Sequence, residues 1–566
     1  MLTATCLLLG SVAFLPDGLS DARFRVRTDR GEANIAFAER DGVARAEGPW
    51  VRAELRVDRV RGLGKLVVTT LDDLTIFSEA LELRSTLGPV AVADRAFRFQ
   101  PLLPGHRAHQ DPSSPHAVRL GDGDSTVTFP GYDNFPSIEV ERFAENDTRI
   151  RFELDHAANH PHFSYACEAT RKPKANRFGF AWDPDVREPA RTELSALTRK
   201  KGDVRTFAFR FSVGRPREIY WKAREAAPYR AVMVFTDHAD QALYERFRAV
   251  LYGDSDPARH NSGGFLGHRL PFTKSVFTRN DGATLQLARA DYRAMALEAA
   301  ARGVEFGPHT VTSNRDTREQ TAAGLEVFAK LGATTWIDHS PLTNCEAIGN
   351  QGWNPASPYY VLDFLKRFGY RALWSPVDIA GGEEHLNMMR PEAPSFRRLL
   401  VFENPRVAPG FWFFATHRVF DRFEKIQALF GRANLDRFAA ERGVLVAHTY
   451  LDFHRPASGY NERSWLIARG ARRYVLKPEA NALLGELARR RDAGELWIPT
   501  VRDFVDHVAA TRDVSIDWDH DGAVVAHNRS GRDLPAFQLV HASSGRAIPF
   551  PLKNGERRVV AETSKP

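Results

Sequence analysis

The chain has little cysteine, little lysine and no long apolar run, and each shortage excludes something. Its 566 residues hold three cysteines, Cys6, Cys167 and Cys345, without Cys-x-x-Cys or zinc-ribbon spacing. A disulfide-stapled scaffold and a cysteine-based zinc module are therefore excluded. No apolar run reaches the roughly 18 residues of a bilayer-spanning helix, so no transmembrane segment is expected. Of 78 basic residues only 13 are lysine, and the net charge is +7. The arginines are scattered among acidic residues, with small clusters at Arg199-Lys200-Lys201 and Arg489-Arg490-Arg491. A nucleic-acid binder would concentrate such charge on one face and interleave aromatics with it. Nucleic acid is not expected as a partner, whereas an acidic polymeric substrate remains compatible.

What is present is an ordinary globular composition, 43% hydrophobic and 26% charged. The length implies about three domains. Residues 1–20 read either as a signal segment or as a first strand. Ala4 to Leu15 has the length of a signal h-region and is followed by Gly18 and Ser20, but no basic residue precedes it. A cleaved signal would make the location periplasmic or extracellular, which this reading favours over cytoplasmic.

Residues 21–218 read as a β-sandwich. Short alternating runs such as Ala53-Glu54-Leu55-Arg56-Val57-Asp58 are separated by turn residues. His156, His160 and His162 lie close together in a loop-like stretch, where a metal role is the lesser reading. Glu218–Pro228 reads as a connecting segment.

From 229 to 511 the texture changes to helices alternating with short apolar strands. Helix-to-strand steps recur at Gly303, Gly332, Gly369, Gly443 and Gly494. Glycine can take the left-handed conformation that ends a helix, so the repetition implies parallel βα units. Thr317-Arg318-Glu319-Gln320 has the form of a capping box. Seven or eight units favour a closed (β/α)7-8 barrel, and this segment is read as the catalytic domain. Residues 512–566 return to strand patterns with Asp-Gly and Ser-Gly turns. They form a small β module, or a sheet packed on the first domain.

In parallel βα folds the C-terminal strand ends build the site. Here those ends carry Asp237, His238 and Asp240, then Lys274, His309, Asp338 with His339, Trp374, and His448 with Tyr450. A single polar residue there is usually a cap or a satisfied hydrogen bonder. Asp237, His309, His339 and His448 at four separate ends point to a shared site. Imidazole and carboxylate donors suit a divalent metal, with zinc the natural candidate. Such an ion activates water and polarises a carbonyl, and a neighbouring carboxylate and histidine could move the protons.

The order of these residues resembles the polysaccharide deacetylase family, within the wider glycoside hydrolase/deacetylase barrel superfamily. Val234-Phe235-Thr236-Asp237 resembles the first motif, His309-Thr310-Val311-Thr312-Ser313 the second, and Leu445-Val446-Ala447-His448 the late one. The resemblance implies that Asp237 and His309 bind metal and that His448 is the general acid. Thr236 stands where the family has its base, and Ser313 where it has its second metal histidine. His339 is expected to complete the metal site, with Asp338 or Asp240 as base and His238 as a further candidate ligand.

Aromatic and polar residues near these ends would line a sugar cleft: Trp336, Trp374, Tyr450, Asn344 and Lys274. The leading expectation is a metal-dependent carbohydrate deacetylase-like hydrolase acting on an acetylated glycan, and the net charge is compatible with an acidic one. The alternatives are a glycosidase or other glycan-processing enzyme on the same barrel, and a glycan-binding protein with a decayed site.

Overall fold

The computed structural model describes residues 15–40, 43–94, 97–110, 115–154, 197–214, 218–260, 263–279, 286–339, 344–379, 386–388, 401–403, 408–418, 423–454, 465–470, 472–519 and 521–561. Most of the signal-like segment, with Cys6, lies outside them, as do Cys167, His156, His160 and His162.

The N-terminal region is the expected β architecture. Leu74–Ser85 runs antiparallel between Leu19–Thr28 and Asp147–Glu153 in a seven-stranded sheet. A five-stranded sheet contains Val51–Asp58 and Leu63–Thr70. The alternation read from the sequence puts Ala53, Leu55, Leu66 and Val68 into one core with Phe24, Leu81 and Ile150 of the first sheet. Phe135, Phe152, Phe207 and Phe209 cluster there, with Phe135 and Phe207 stacked at 5.4 Å.

The central region is a barrel of parallel strands: β1 (Ala231–Asp237), β2 (Thr273–Val276), β3 (Glu305–Pro308), β4 (Thr335–Trp336), β5 (Ala372–Ile379), β6 (Trp412–Arg418) and β7 (Val444–Thr449). Hydrogen bonding follows chain order, and β7 returns to pair with β1. A parallel bridge from His309 to Ile337 joins the ends of β3 and β4 and closes the ring. The short strand Leu496–Trp497 pairs with the foot of β1. Every residue of β1 is buried, as suits a strand covered on both faces.

The punctuation holds with one variation. Gly303, Gly332, Gly369 and Gly494 all have left-handed φ, between +65 and +98°. At the remaining step Arg442 takes that conformation, at φ +50°. Gly443 is there for space instead: a Cβ would stand 2.4 Å from the Phe438 ring.

The connecting segment is more than a linker. Tyr220–Lys222 pairs with Leu534–His541 and joins the C-terminal β structure. Trp221 donates to Pro130 O at 2.8 Å, and Arg210 pairs with Asp517 at 2.5 Å. The C-terminal strands therefore share a core with the first region, through Tyr132, Trp221, Trp518 and Leu539. Among the described residues no helix is long and apolar enough to cross a membrane.

Candidate metal centre

The loops after β1, β3 and β4 bring a carboxylate and three imidazoles together at the C-terminal mouth of the barrel. Gln241, at φ +52°, turns the chain sharply after β1, between Asp240 and the helix that begins at Tyr244. Asp240 is thus free of a capping role and receives two histidines. His309 Nε2 lies 3.1 Å from Asp240 Oδ2, and His339 Nε2 lies 3.1 Å from Asp240 Oδ1. The His309 and His339 rings are 5.0 Å apart, and Phe277 lies against both. His238, His309 and Asp240 each present a ligand atom, all within 4.8 Å of one another.

Burial sets the charge states. It pushes His309 down to about 4, against the pull of Asp240. Burial, aided by His448 and His309, holds His238 well below its ordinary value. Burial opposes the Asp240 carboxylate, but the two flanking imidazoles outweigh it and hold its pKa well below the usual range. Burial likewise works against a charged His339, yet Asp240 raises it. Asp240 keeps 26% of its side-chain exposure and is the group of this cluster that meets solvent.

These residues fit a divalent cation. The His238 Nε2 atom is buried and has no hydrogen-bond partner among the described residues. A buried, unpaired imidazole nitrogen is costly unless something uses its lone pair. Beside a carboxylate and a second neutral imidazole, it has the donor chemistry of a divalent-metal site. Thr310, next to His309, carries a further mark of a functional site. This β-branched residue has φ +48°, a conformation maintained only where the surroundings impose it.

The other expected residues fall into two groups. His448 and Trp374 belong to the mouth. The His448 ring stacks on His238 at 3.7 Å. Trp374 stands edge-on to both, its indole donating to Thr416 Oγ1 at 3.0 Å. Tyr450, half-buried, lies 5.1 Å from His448.

Asp237, Asp338, Lys274, Trp336 and Asn344 are buried and engaged by other partners. Asp237 points to Lys274, at 2.6 Å, and also accepts from Thr449 Oγ1 and the Leu451 amide. Its carboxylate is committed within the barrel wall, and Asp240 takes its place in the cluster. Lys274 also donates to Asp452 at 3.0 Å and to His238 O at 3.0 Å, and it has no exposed surface for a sugar. Asp338 accepts from Trp336 Nε1 at 2.6 Å and from the Ile348 and Gly349 amides at 2.8 Å each. Burial raises Asp338 to about 6 against these three donors, and its oxygens hold the β4 loop. Trp336 and Asn344 are fully buried and present nothing to a glycan. Thr236 donates its hydroxyl to Ala447 O at 2.8 Å.

Sequence reasoning missed the Asp237–Lys274–Asp452 network, because nothing in a linear sequence pairs residues so far apart. It read Asp237 as a metal ligand and Asp240 as a base, and Asp240 is the aspartate after β1 that lies against the histidines.

The fold and site define a multidomain β/α-barrel protein with a candidate His/Asp/His metal site. No protein-family model matches the chain, and no curated protein does. Among solved structures it is similar to a cycloalternan-degrading enzyme from Trueperella pyogenes, at 9% identity and a TM-score of 0.30, over 96% of this chain and 93% of that one. It is also similar to a sulfoquinovosidase from E. rectale, at 8% identity and TM-score 0.30, over 96% and 92% of the two chains. A deacetylase solved with substrate matches 50% of this chain and 94% of its own, at 10% identity and TM-score 0.19. Likenesses this weak identify no family.

Proposed function

We propose that the chain is a carbohydrate-active hydrolase with a divalent-metal centre. The observation that carries the reading is the convergence of His238, Asp240 and His309 within 4.8 Å at the mouth of the barrel. That is where parallel βα folds place their chemistry. A divalent ion bound there supplies an activated water and a Lewis acid. Asp240, partly open to solvent, is placed to orient that water. His448, stacked on His238, is placed to protonate a leaving alcohol or amine. Tyr450, half-buried, offers aromatic surface beside it for a sugar ring.

The bond cleaved separates two readings. The order of His309 and His448 along the chain supports removal of an acyl group, as in the deacetylases the sequence resembles. The second reading is cleavage of a glycosidic bond, and Thr236 counts against the first. Its hydroxyl is spent on a backbone carbonyl, so the position of the deacetylase base holds no base. The test is to assay acetate release and new reducing ends on acetylated and unacetylated glycans, with wild type and His309→Ala. Acetate lost in the variant supports the first reading, and reducing ends lost in the variant support the second. Glycan affinity without turnover contradicts both and leaves a binding protein.

A further inference from the structure

The loop after β4 meets the second oxygen of the Asp240 carboxylate, beside His309. His339 Nε2 faces Asp240 Oδ1 at 3.1 Å, while its Nδ1 lies 3.0 Å from Asn344 Oδ1. The orientation of the Asn344 amide is fixed by its nitrogen. Nδ2 faces Asn314 O at 2.6 Å, Glu346 Oε1 at 2.7 Å, and Thr312 O and Thr310 Oγ1 at 3.2 Å each. Reversing the amide would set its oxygen against two carbonyls and a carboxyl. Oδ1 therefore accepts, and His339 Nδ1 carries the proton. With Nδ1 tied to Asn344, Nε2 is the ring nitrogen that faces Asp240 and that loss of its proton frees for an ion.

Asn344 and Glu346 have no exposure and His339 has 4%, so the arm is built into the core. A metal-bound histidine normally has its second nitrogen anchored in this manner. We propose that His339 is a fourth protein ligand of the metal centre, completing a set of three histidines and one aspartate. Asn344, itself held by Glu346, is the positioning residue that fixes the ring. This inference rests on the metal-centre reading above. The competing role for His339 is a cationic partner that only neutralises Asp240; its loss would then leave metal binding unchanged or tighter.

Cobalt(II) is the probe, because its visible absorption reports the ligand set directly and needs no turnover. The full chain is loaded with cobalt, and affinity is measured by competition with a chelator. Wild type is expected to bind, and His309→Ala to lose binding. His339→Ala is expected to bind at least about tenfold more weakly with an altered spectrum. Asn344→Ala is expected to weaken binding about 10–100-fold and move the spectrum in the same direction. If His339→Ala does not fold, His339→Gln retains the volume and gives the same readout. Wild-type affinity and spectrum in the His339 variants, with binding lost in His309→Ala, would overturn the fourth ligand and leave the metal centre standing. A His339 effect without an Asn344 effect would overturn the positioning role. No cobalt bound by wild type would remove the centre itself, and this inference with it.

Discussion

Removing the Lys274 ammonium tests how the barrel wall beneath the site is held. Nζ lies 2.6 Å from Asp237 Oδ2 and 3.0 Å from Asp452 Oδ1, and all three side chains are fully buried. At an effective dielectric of about 20, each contact supplies roughly 5–6 kcal/mol of attraction before desolvation and the repulsion between the carboxylates are counted. Lys274→Met leaves both carboxyls buried without a counter-charge, and losses from such a deletion run about 3–5 kcal/mol. Burial already raises Asp452 to about 7, with Lys274 pulling it down and Asp237 pushing it up. Without the lysine, a carboxyl of the pair keeps a proton that the unfolded chain releases near pH 4. The folded variant then binds more protons than the unfolded one, so its stability falls as pH rises. Urea unfolding of the barrel should show the full loss at pH 8 and a smaller one at pH 5.5. Lys274→Met/Asp237→Asn should recover part of the loss at pH 8. A loss below about 1 kcal/mol at pH 8, or one that grows toward acid, refutes the reasoning.

Other perturbations have expected signs. His507 is largely buried, packs at 5.1 Å against Trp497, and burial lowers it to about 4. The unfolded chain takes up a proton near pH 6.5 that the folded chain refuses. Stability should therefore be complete above about 6.5 and decline by about 2–3 kcal/mol as pH falls to 4. His507→Phe should flatten that decline in acid melts. Thr317 and Gln320 form a reciprocal capping box at the start of the helix Arg318–Ala329. Thr317→Ala should cost about 1 kcal/mol in a thermal melt. Within that helix, Gly324→Ala should destabilise by about 1–3 kcal/mol despite alanine's helix preference. Its Cβ would fall 1.8 Å from Val311 Cγ1, and a gain in melting temperature would contradict this.

The barrel was legible because its signals are local. The helix–Gly–strand steps mark the turns into β3, β4, β5, β7 and Leu496–Trp497, and the apolar runs of β1 and β7 are buried throughout. The strand-end residues were legible as a set for the same reason. Their individual roles were not, because those depend on direction and on distant partners. Asp237 and Asp240 are three residues apart. The end of β1 aims Asp237 at Lys274 on β2, while the turn at Gln241 leaves Asp240 facing the histidines. Trp336 ends the strand that leads to His339 and Asn344 lies just beyond, yet packing buries both. The connecting segment read as a linker because its pairing strand lies some 300 residues onward.

The central claim is that His238, Asp240 and His309 hold a divalent ion. Elemental analysis of the full chain tests it most directly, after exposure to zinc and removal of free metal, for wild type, His238→Ala, Asp240→Ala and His309→Ala. The account predicts about one tightly held ion per wild-type chain and its loss in each variant, all of them still folded. Wild-type protein that retains no metal, or variants that retain it undiminished, would contradict the account.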